Sequence, residues 1–230
     1  MRSHLRFAVL VAAASLAGPS HLLAAGLGGA TRDLGGAVQR LNEGSSALAP
    51  FASVKFCLKN KDQCVDTGGP GIVQLDEDRL EQLKAVNSGI NRAIRPVNDR
   101  SGEDVWSADV ASGDCEDFAL TKRKHLIALG WPSRALRIAV ARTSSGEGHA
   151  VLVVKTSKGD LVLDNRSSAI KEWRKTGLRW IMMQSGDNPR LWVNIVPSKP
   201  RPVLVSQAVK RRVSHQLASQ FTAIYQQTAD

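Results

Sequence analysis

The chain has 230 residues, of which 43% are hydrophobic and 23% are charged. This length is enough to bury the core of one domain, and the composition excludes a disordered or fibrous chain. The formal net charge is +10, but the basic residues are scattered, with one denser cluster at Lys210, Arg211 and Arg212. The charge therefore does not by itself indicate a nucleic-acid-binding surface.

The first 25 residues have the layout of a secretory signal peptide. Arg2 and Arg6 give the first residues a positive charge. Residues 7–18 are almost wholly apolar, and residues 23–25 resemble a small-residue cleavage site. The apolar run is short for a bilayer span, so we expect cleavage and no stable membrane insertion; the alternative is an uncleaved anchor. Because the mature protein is then exported, we expect no nucleic-acid partner.

Three cysteines follow. Cys57 and Cys64 lie close together in a loop-like stretch, and in an oxidising compartment they should form a disulfide. Cys115 is left without a partner, and a lone thiol in an exported protein is a first indication of function.

The pattern predicts helices in the first half of the chain. A short helix is predicted over residues 31–44, and an irregular, disulfide-pinned segment over 50–74. A helix begins at Asp76 and ends before Pro96, because apolar residues recur on one face and acids fill the first turn. Another begins at Asp114 or Cys115 and runs to Leu129.

The second half shows the alternation that is typical of strands. Strands are predicted over residues 136–141, 149–156, 160–164, 178–184 and 191–196. Helices followed by an antiparallel meander predict an α+β fold. We expect one domain over residues 26–198, and a C-terminal helix within 199–230 that packs on this domain or extends from it.

Cys115 occupies the predicted first turn of a helix. The partial positive charge of a helix N-terminus lowers a thiol pKa and favours the nucleophilic thiolate. Free backbone N–H groups at that end are candidate oxyanion donors. The alternative is a small buried cysteine that packs under the helix.

His149 and Asp164 are the candidate base and orienting group. His149 opens a buried strand after a flexible turn, so its imidazole is both fixed and accessible. Asp164 ends the next strand, where it is expected to orient the imidazole and stabilise its protonated form. The alternatives are a strand-end histidine with a satisfied ring and a turn-forming Asp-Asn pair.

The predicted register does not bring these two residues together. A tight turn at Lys158 and Gly159 places Asp164 opposite Val153, roughly 13 Å from His149 at about 3.3 Å per residue. Twist, a bulge or a longer loop must close this gap for Asp164 to orient the ring; otherwise Asn165, or a more distant carboxylate such as Asp187, is the orienting residue.

Several segments together resemble a known family, the bacterial transglutaminase-like cysteine peptidases. They are Trp106, Gly113-Asp114-Cys115-Glu116-Asp117-Phe118-Ala119, Leu136-Arg137, His149-Ala150-Val151-Leu152, Leu163-Asp164-Asn165 and the Phe56-Cys57…Cys64 segment. The resemblance covers roughly residues 50–175. It implies a papain-like α+β core, with the catalytic cysteine at a helix start packed on an antiparallel sheet, and a triad of Cys115, His149 and Asp164. It also implies a periplasmic location.

Members of this family include calcium-dependent proteases that release surface adhesins, a step in biofilm control. The resemblance thus implies a protein substrate in the cell envelope, such as a surface adhesin, and we expect a monomer. Asp114 and Glu116 match the calcium-binding positions of the adhesin-cleaving members.

Six carboxylates lie within fifteen residues of this basic chain. They are Glu103, Asp104, Asp109, Asp114, Glu116 and Asp117. Carboxylates beside Cys115 oppose thiolate formation, and a bound cation such as calcium would remove that penalty. The alternative is a set of exposed acids paired with Arg100, Lys122 and Arg123.

Two other functions use the same residues. A transamidase would pass the same thioester intermediate to an amine instead of water. A catalytically silent binding module would keep the fold without the chemistry, although it would have no reason to keep Cys115, His149 and Asp164.

Overall fold

The computed structural model describes residues 38–100 and 102–197. The predicted signal peptide, the boundaries of the predicted domain at residues 26 and 198, and the C-terminal helix predicted within residues 199–230 lie outside this range. Nowhere in the described range does a helix combine the length and hydropathy needed to cross a membrane.

The described residues form three α-helices and nine β-strands. The helices are α1 (Phe51–Lys59), α2 (Glu77–Ala93) and α3 (Cys115–Ala128). The strands are β1 (Asn42–Ala47), β2 (Arg95–Pro96), β3 (Ser112–Gly113), β4 (Leu136–Arg142), β5 (Gly148–Thr156), β6 (Gly159–Leu163), β7 (Lys171–Glu172), β8 (Arg179–Gln184) and β9 (Trp192–Val196). Short 3-10 turns occupy Lys61–Cys64, Ser133–Ala135 and Trp173–Lys175.

Seven of these strands form one antiparallel sheet in the order β1-β9-β8-β4-β5-β6-β7. Side chains of successive residues in β5 point to opposite faces of the sheet and join different hydrophobic cores. Leu152 joins the main core with residues of α3, and Val151 joins a second core that Trp173 and Trp180 cover. Helices packed on an antiparallel sheet confirm the predicted α+β class.

Helices α2 and α3, which the sequence predicted most clearly, form as predicted. Asp76 caps α2, where its side chain accepts a hydrogen bond from Arg79 N at 2.8 Å. Asp114 is the N-cap of α3, and Gly130 follows that helix with φ at 83°. Nine of the 14 residues of α3 are buried, so this helix is the central one of the domain.

Two predictions in the N-terminal part are wrong. Residues 42–44 belong to strand β1 and not to a helix, because this polar segment pairs with β9 at the sheet edge. Within residues 50–74, α1 is a regular helix that buries Phe56 and Cys57 in the core. The predicted disulfide between Cys57 and Cys64 is confirmed.

Candidate active site

Cys115 is the first residue of α3, and a capping arrangement fixes the start of that helix. Asp117 folds back over the N-terminus and accepts hydrogen bonds from Asp114 N at 3.3 Å and Ser107 N at 2.8 Å. A Cβ atom on Gly113 would collide with the Asp117 carboxylate, so glycine permits this close approach. The cap therefore holds the thiol at one defined position.

The thiol makes two polar contacts. Cys115 Sγ accepts a hydrogen bond from Ala150 N at 3.3 Å and donates one to Glu116 Oε2 at 3.2 Å. Burial raises the pKa of the Cys115 thiol to about 12, and the negative charge of Glu116 is the next cause. The positive end of the helix favours the thiolate. Burial and the negative charge of Glu116 act more strongly against the thiolate.

His149 and Asp164 form a hydrogen-bonded pair, with His149 Nε2 lying 2.9 Å from Asp164 Oδ1. The same oxygen accepts a hydrogen bond from Arg166 N at 2.9 Å. Burial acts to raise the pKa of Asp164, but the contacts with His149 and Arg166 hold it below its ordinary value. Asp164 is thus an ionised partner for the imidazole, whose other nitrogen, Nδ1, remains available for proton exchange.

The predicted strand register was wrong, and the difference brings this pair together. Thr156 pairs with Gly159, and the turn consists of Ser157 and Lys158. Leu163 consequently pairs with Leu152, so that Asp164 follows close to the start of β5. The two-residue shift shortens the offset along β5 from roughly 13 Å to roughly 7 Å, and the two side chains span the rest.

Neither alternative orienting residue hydrogen-bonds to the imidazole within the described residues. Asn165 lines the cleft beside His149, and its Oδ1 is buried without a hydrogen-bond partner in the part of the chain that is described. Asp187 is exposed in the turn between β8 and β9, where its N donates to Ser185 Oγ at 3.3 Å. Asp164 is therefore the carboxylate that contacts the imidazole.

Cys115 and His149 open into the same cleft, which has a volume of about 620 Å³. Trp106 forms part of its wall and is also a core residue, because its ring meets Trp192 edge-on at 6.2 Å. Trp106 Nε1 donates to Asp104 Oδ1 at 2.9 Å, so this donor is already used. A nucleophile and a base–carboxylate pair in one open cleft can support acyl transfer.

The six carboxylates predicted as a group separate in the structure. Asp117 caps α3, Asp104 accepts from Trp106, and Asp109 pairs with Lys124. Glu103 lies on the wall of the cleft.

Asp114 and Glu116 instead form a compact cluster with Asp99. One carboxylate oxygen from each of the three lies within 4.8 Å of the others. Burial, followed by the contact with Asp114, raises the pKa of Glu116 to about 8. Asp114 Oδ1 is buried and has no hydrogen-bond partner among the described residues. This cluster has the oxygen donors and unmet charge of a cation site.

The sequence analysis did not identify Asp99 as a member of this cluster. It lies in a polar stretch without periodicity, and its place follows from the parallel pairing of β2 with β3. That pairing brings Asp99 N within 3.2 Å of Asp114 Oδ2. Two-residue strands leave no pattern to find, so no local signal identifies Asp99 as a neighbour of Asp114.

Lys122 and Arg123, two basic residues considered as partners for these acids, are buried in α3. Lys122 is 0% exposed and Arg123 is 2% exposed. Arg123 donates hydrogen bonds to Leu136 O and Gln63 O, at 3.1 and 2.7 Å. The alternative in which Lys122 and Arg123 pair with exposed acids therefore does not hold for these two residues.

Comparison with known proteins identifies a family and similar solved structures. Residues 43–200 match the family described as bacterial transglutaminase-like cysteine proteinase. Solved structures of Legionella pneumophila LapG are also similar. The EGTA-treated form is 31% identical over 50% of this chain and 66% of that one, with a TM-score of 0.44.

The calcium-bound form of LapG is 25% identical over 61% of this chain and 82% of that one, with a TM-score of 0.46. The present chain thus spans just under two thirds of the EGTA-treated LapG chain. No curated protein matches the chain.

Proposed function

The chain belongs to the bacterial transglutaminase-like cysteine proteinase family, and from this premise we propose that it is an exported thiol peptidase that cleaves a peptide bond in an envelope protein. The observation that supports this most directly is the shared cleft, in which Cys115 lies beside the hydrogen-bonded His149–Asp164 pair. The layout of the first 25 residues supports export to the periplasm.

In the proposed reaction, Cys115 Sγ attacks the carbonyl carbon of the scissile peptide bond. His149 takes the thiol proton and returns it to the leaving amine, which departs as the thioester forms. Water, activated by the same imidazole, then hydrolyses the thioester and restores the thiol. Asp164 holds the imidazole in position and stabilises its protonated form. Backbone N–H groups near Cys115 are candidate donors to the oxyanion.

Calcium fits the cluster of Asp99, Asp114 and Glu116. Hard carboxylate oxygens are the ligands that calcium prefers, and Asp114 Oδ1, which is buried without a hydrogen-bond partner in the described part of the chain, supports a cation at this place. When bound, the ion would supply positive charge beside Cys115 and favour the thiolate. Without such a charge, burial first and then the charge of Glu116 raise the pKa of the Cys115 thiol.

The proposal is tested by digesting envelope extract with the purified protein and mapping new N-termini by mass spectrometry. We expect cleavage by the wild type, and at least 100-fold less with Cys115→Ala or His149→Ala. His125→Ala is the matched control, because His125 lies at the exposed end of α3 and pairs with Asp109. Cleavage that survives Cys115→Ala would refute the thiol mechanism, and amine incorporation without new N-termini would indicate transamidation.

The cation site is tested by calcium titration in a calorimeter, together with melting temperatures. We expect binding heat and a higher melting temperature for the wild type, both lost in Asp99→Asn and Glu116→Gln. Asp109→Asn removes a carboxylate outside the cluster and should bind like the wild type. If the wild type shows neither heat nor a shift, the calcium proposal is wrong.

A further inference from the structure

Helix α1 presents apolar side chains to solvent. Phe51, Val54 and Leu58 lie on one stripe of this helix and are 72%, 42% and 69% exposed. Leu48, which precedes the helix, is 92% exposed. We call these four residues the α1 face. Single exposed apolar residues are common on proteins, but a row of them on one helix indicates an interaction surface.

Helix α2 shows what a solvated helix surface looks like in this protein. Its exposed residues include Glu77, Asp78, Glu81 and Lys84, and the last two form an ion pair at 2.7 Å. Helix α1 therefore carries phenylalanine, valine and leucine where α2 carries charged side chains. Contact with water alone does not favour such a surface.

A depression of about 220 Å³ lies beside the α1 face. Two of its lining residues, Ser53 and Cys57, are buried, and the disulfide joins Cys57 to Cys64, so this part of the wall is preformed. The exposed lining residues are Val54, Leu58, Lys61 and Arg190. Small-molecule sites have volumes of about 300–1,000 Å³, so this smaller depression suits a single side chain inserted by a partner protein.

Basic side chains surround the apolar ones. The segment from Phe51 to Cys64 has one acid, Asp62, and three exposed lysines, which are Lys55, Lys59 and Lys61. The first of these lysines lies over the ring of Phe51, with Nζ 4.8 Å from the centroid. Arg190 adds a further positive charge from the turn between β8 and β9. An apolar depression with a basic rim is complementary to an apolar side chain that has acidic neighbours.

The α1 face begins at the cleft that contains Cys115 and His149. Pro50 is the N-cap of α1 and lines this cleft, whereas Leu58 lines the depression. At 1.5 Å per residue, these two positions lie about 12 Å apart along the helix axis, which is the length of roughly four residues of extended chain. One substrate chain is therefore long enough to occupy the cleft and to reach the depression.

We propose that the α1 face and its depression form a docking site for the protein substrate, outside the cleft. This rests on the proposed thiol peptidase function. The docked segment of the substrate carries an apolar side chain, which enters the depression, and acidic residues, which meet Lys61 and Arg190. It lies at least about four residues from the bond that is cut. The enzyme thus favours a protein over a short peptide with the same cleavage sequence, because only the protein reaches this site.

The test compares two substrates of the full chain. One is an intact envelope protein that the wild type cleaves in extract, and the other is a peptide of about six residues that spans the mapped bond. We expect Leu58→Glu to raise KM for the intact protein at least about tenfold, with kcat and peptide cleavage unchanged. Leu129→Glu is the matched control, because Leu129 is a 54% exposed leucine at the end of α3, and it should behave like the wild type.

A charge reversal tests the chemistry of the docked segment. We expect Lys61→Glu to raise KM for the intact protein about threefold or more, and added salt to reduce the difference from the wild type. Lys84→Glu is the control, because it reverses an exposed lysine on α2. A KM for the intact protein that neither Leu58→Glu nor Lys61→Glu changes would overturn the docking site.

Other occupants of the α1 face would give different results. Binding to phosphatidylglycerol vesicles that Leu58→Glu abolishes, with KM for the intact protein unchanged, would assign the face to a membrane surface instead. A wild-type dimer that the same variant dissociates, again with unchanged KM, would assign it to self-association. If the wild type cleaves neither substrate and iodoacetamide labels Cys115 no faster than free cysteine, the peptidase function is refuted, and substrate docking with it.

Discussion

At the scale of single residues, the cleft combines groups with opposed electrostatic requirements. Cys115 must lose a proton to react, but burial and Glu116 raise the pKa of its thiol to about 12. Asp164 must keep its charge, and the contacts with His149 and Arg166 N hold its pKa low despite burial. The proposed nucleophile thus needs nearby positive charge to ionise, while the proposed orienting carboxylate is already ionised.

Asp164→Asn tests the orienting role. The amide keeps the size of the side chain but loses the negative charge that stabilises the protonated imidazole. We expect peptide cleavage to fall by about 100- to 10,000-fold, with little change in melting temperature. Steady-state cleavage of a mapped substrate peptide measures the effect, and Asp187→Asn, an exposed aspartate, is the control. Equal rates for Asp164→Asn and the wild type would rule out this role.

Lys122 predicts a specific dependence of stability on pH. Burial lowers its pKa from 10.5 to about 7, so between these pH values the unfolded chain binds more protons than the folded one. The free energy of unfolding should therefore gain a contribution that rises from pH 7 toward pH 10. Urea unfolding at pH 7 and 9.5 measures it, and Lys122→Met should lose the rise. Lys84→Met, at an exposed ion pair with Glu81, should retain it.

At the scale of elements, the start of α3 decides where the thiol lies. Asp114 caps the helix, Asp117 folds back over it, and Gly113 leaves the space for that fold-back. The same turn supplies Asp114 and Glu116 to the acidic cluster. A small displacement of this turn would therefore move the nucleophile and the candidate cation site together.

Gly113→Ala should disturb this turn. The added methyl group collides with the Asp117 carboxylate, so we expect a loss of about 1–3 kcal/mol of stability and slower alkylation of Cys115. Gly89→Ala is the matched control in α2, where no atom lies within 4 Å of the added Cβ, and it should stabilise by about 0.5–1 kcal/mol. Thermal unfolding and iodoacetamide kinetics measure both. An unchanged Gly113→Ala protein would contradict the importance of the close approach.

The accuracy of the sequence prediction also varied by element, for physical reasons. Helices α2 and α3 carry caps and periodic apolar residues, and both were predicted within two residues of their ends. Strand β1 is polar and lies at an edge, so it shows no alternation. The β5–β6 register depended on which two residues form the turn, and several turns fit the sequence equally well.

The candidate site was predictable only in part for the same reason. Cys115, His149 and Asp164 stand out because each begins or ends a recognisable element. Asp99 and the burial of Lys122 follow from tertiary packing, which leaves no mark on local sequence.

At the scale of the whole molecule, a buried ionic network attaches the N-terminal part of the domain to the sheet. Asp160 is 0% exposed and accepts hydrogen bonds from Leu41 N at 2.7 Å, Arg40 Nη1 at 3.2 Å and Lys155 Nζ at 2.9 Å. Arg137 extends this network through Glu43 of β1. None of the side chains of this network lines the cleft, so it should affect stability more than chemistry.

Asp160→Asn should therefore destabilise the fold without altering the reactivity of the folded protein. The substitution leaves Lys155 buried beside a neutral partner, which costs about 3 kcal/mol. Asp66→Asn, which weakens the half-exposed pair with Arg134, should cost less. Urea unfolding gives the stability, and the alkylation rate of Cys115 reports on the site. A slower alkylation rate in folded Asp160→Asn would show that the two regions are coupled.

The acidic cluster beside Cys115 also affects which reagents can reach the thiol. Negative charge within a few ångströms repels anions, so iodoacetate should react more slowly than the neutral iodoacetamide. Anionic small thiols and oxidants would be disfavoured in the same way, which would protect a lone thiol in an oxidising compartment. A cation on Asp99, Asp114 and Glu116 would reduce this discrimination, so the ratio of the two alkylation rates reports whether the cluster is occupied.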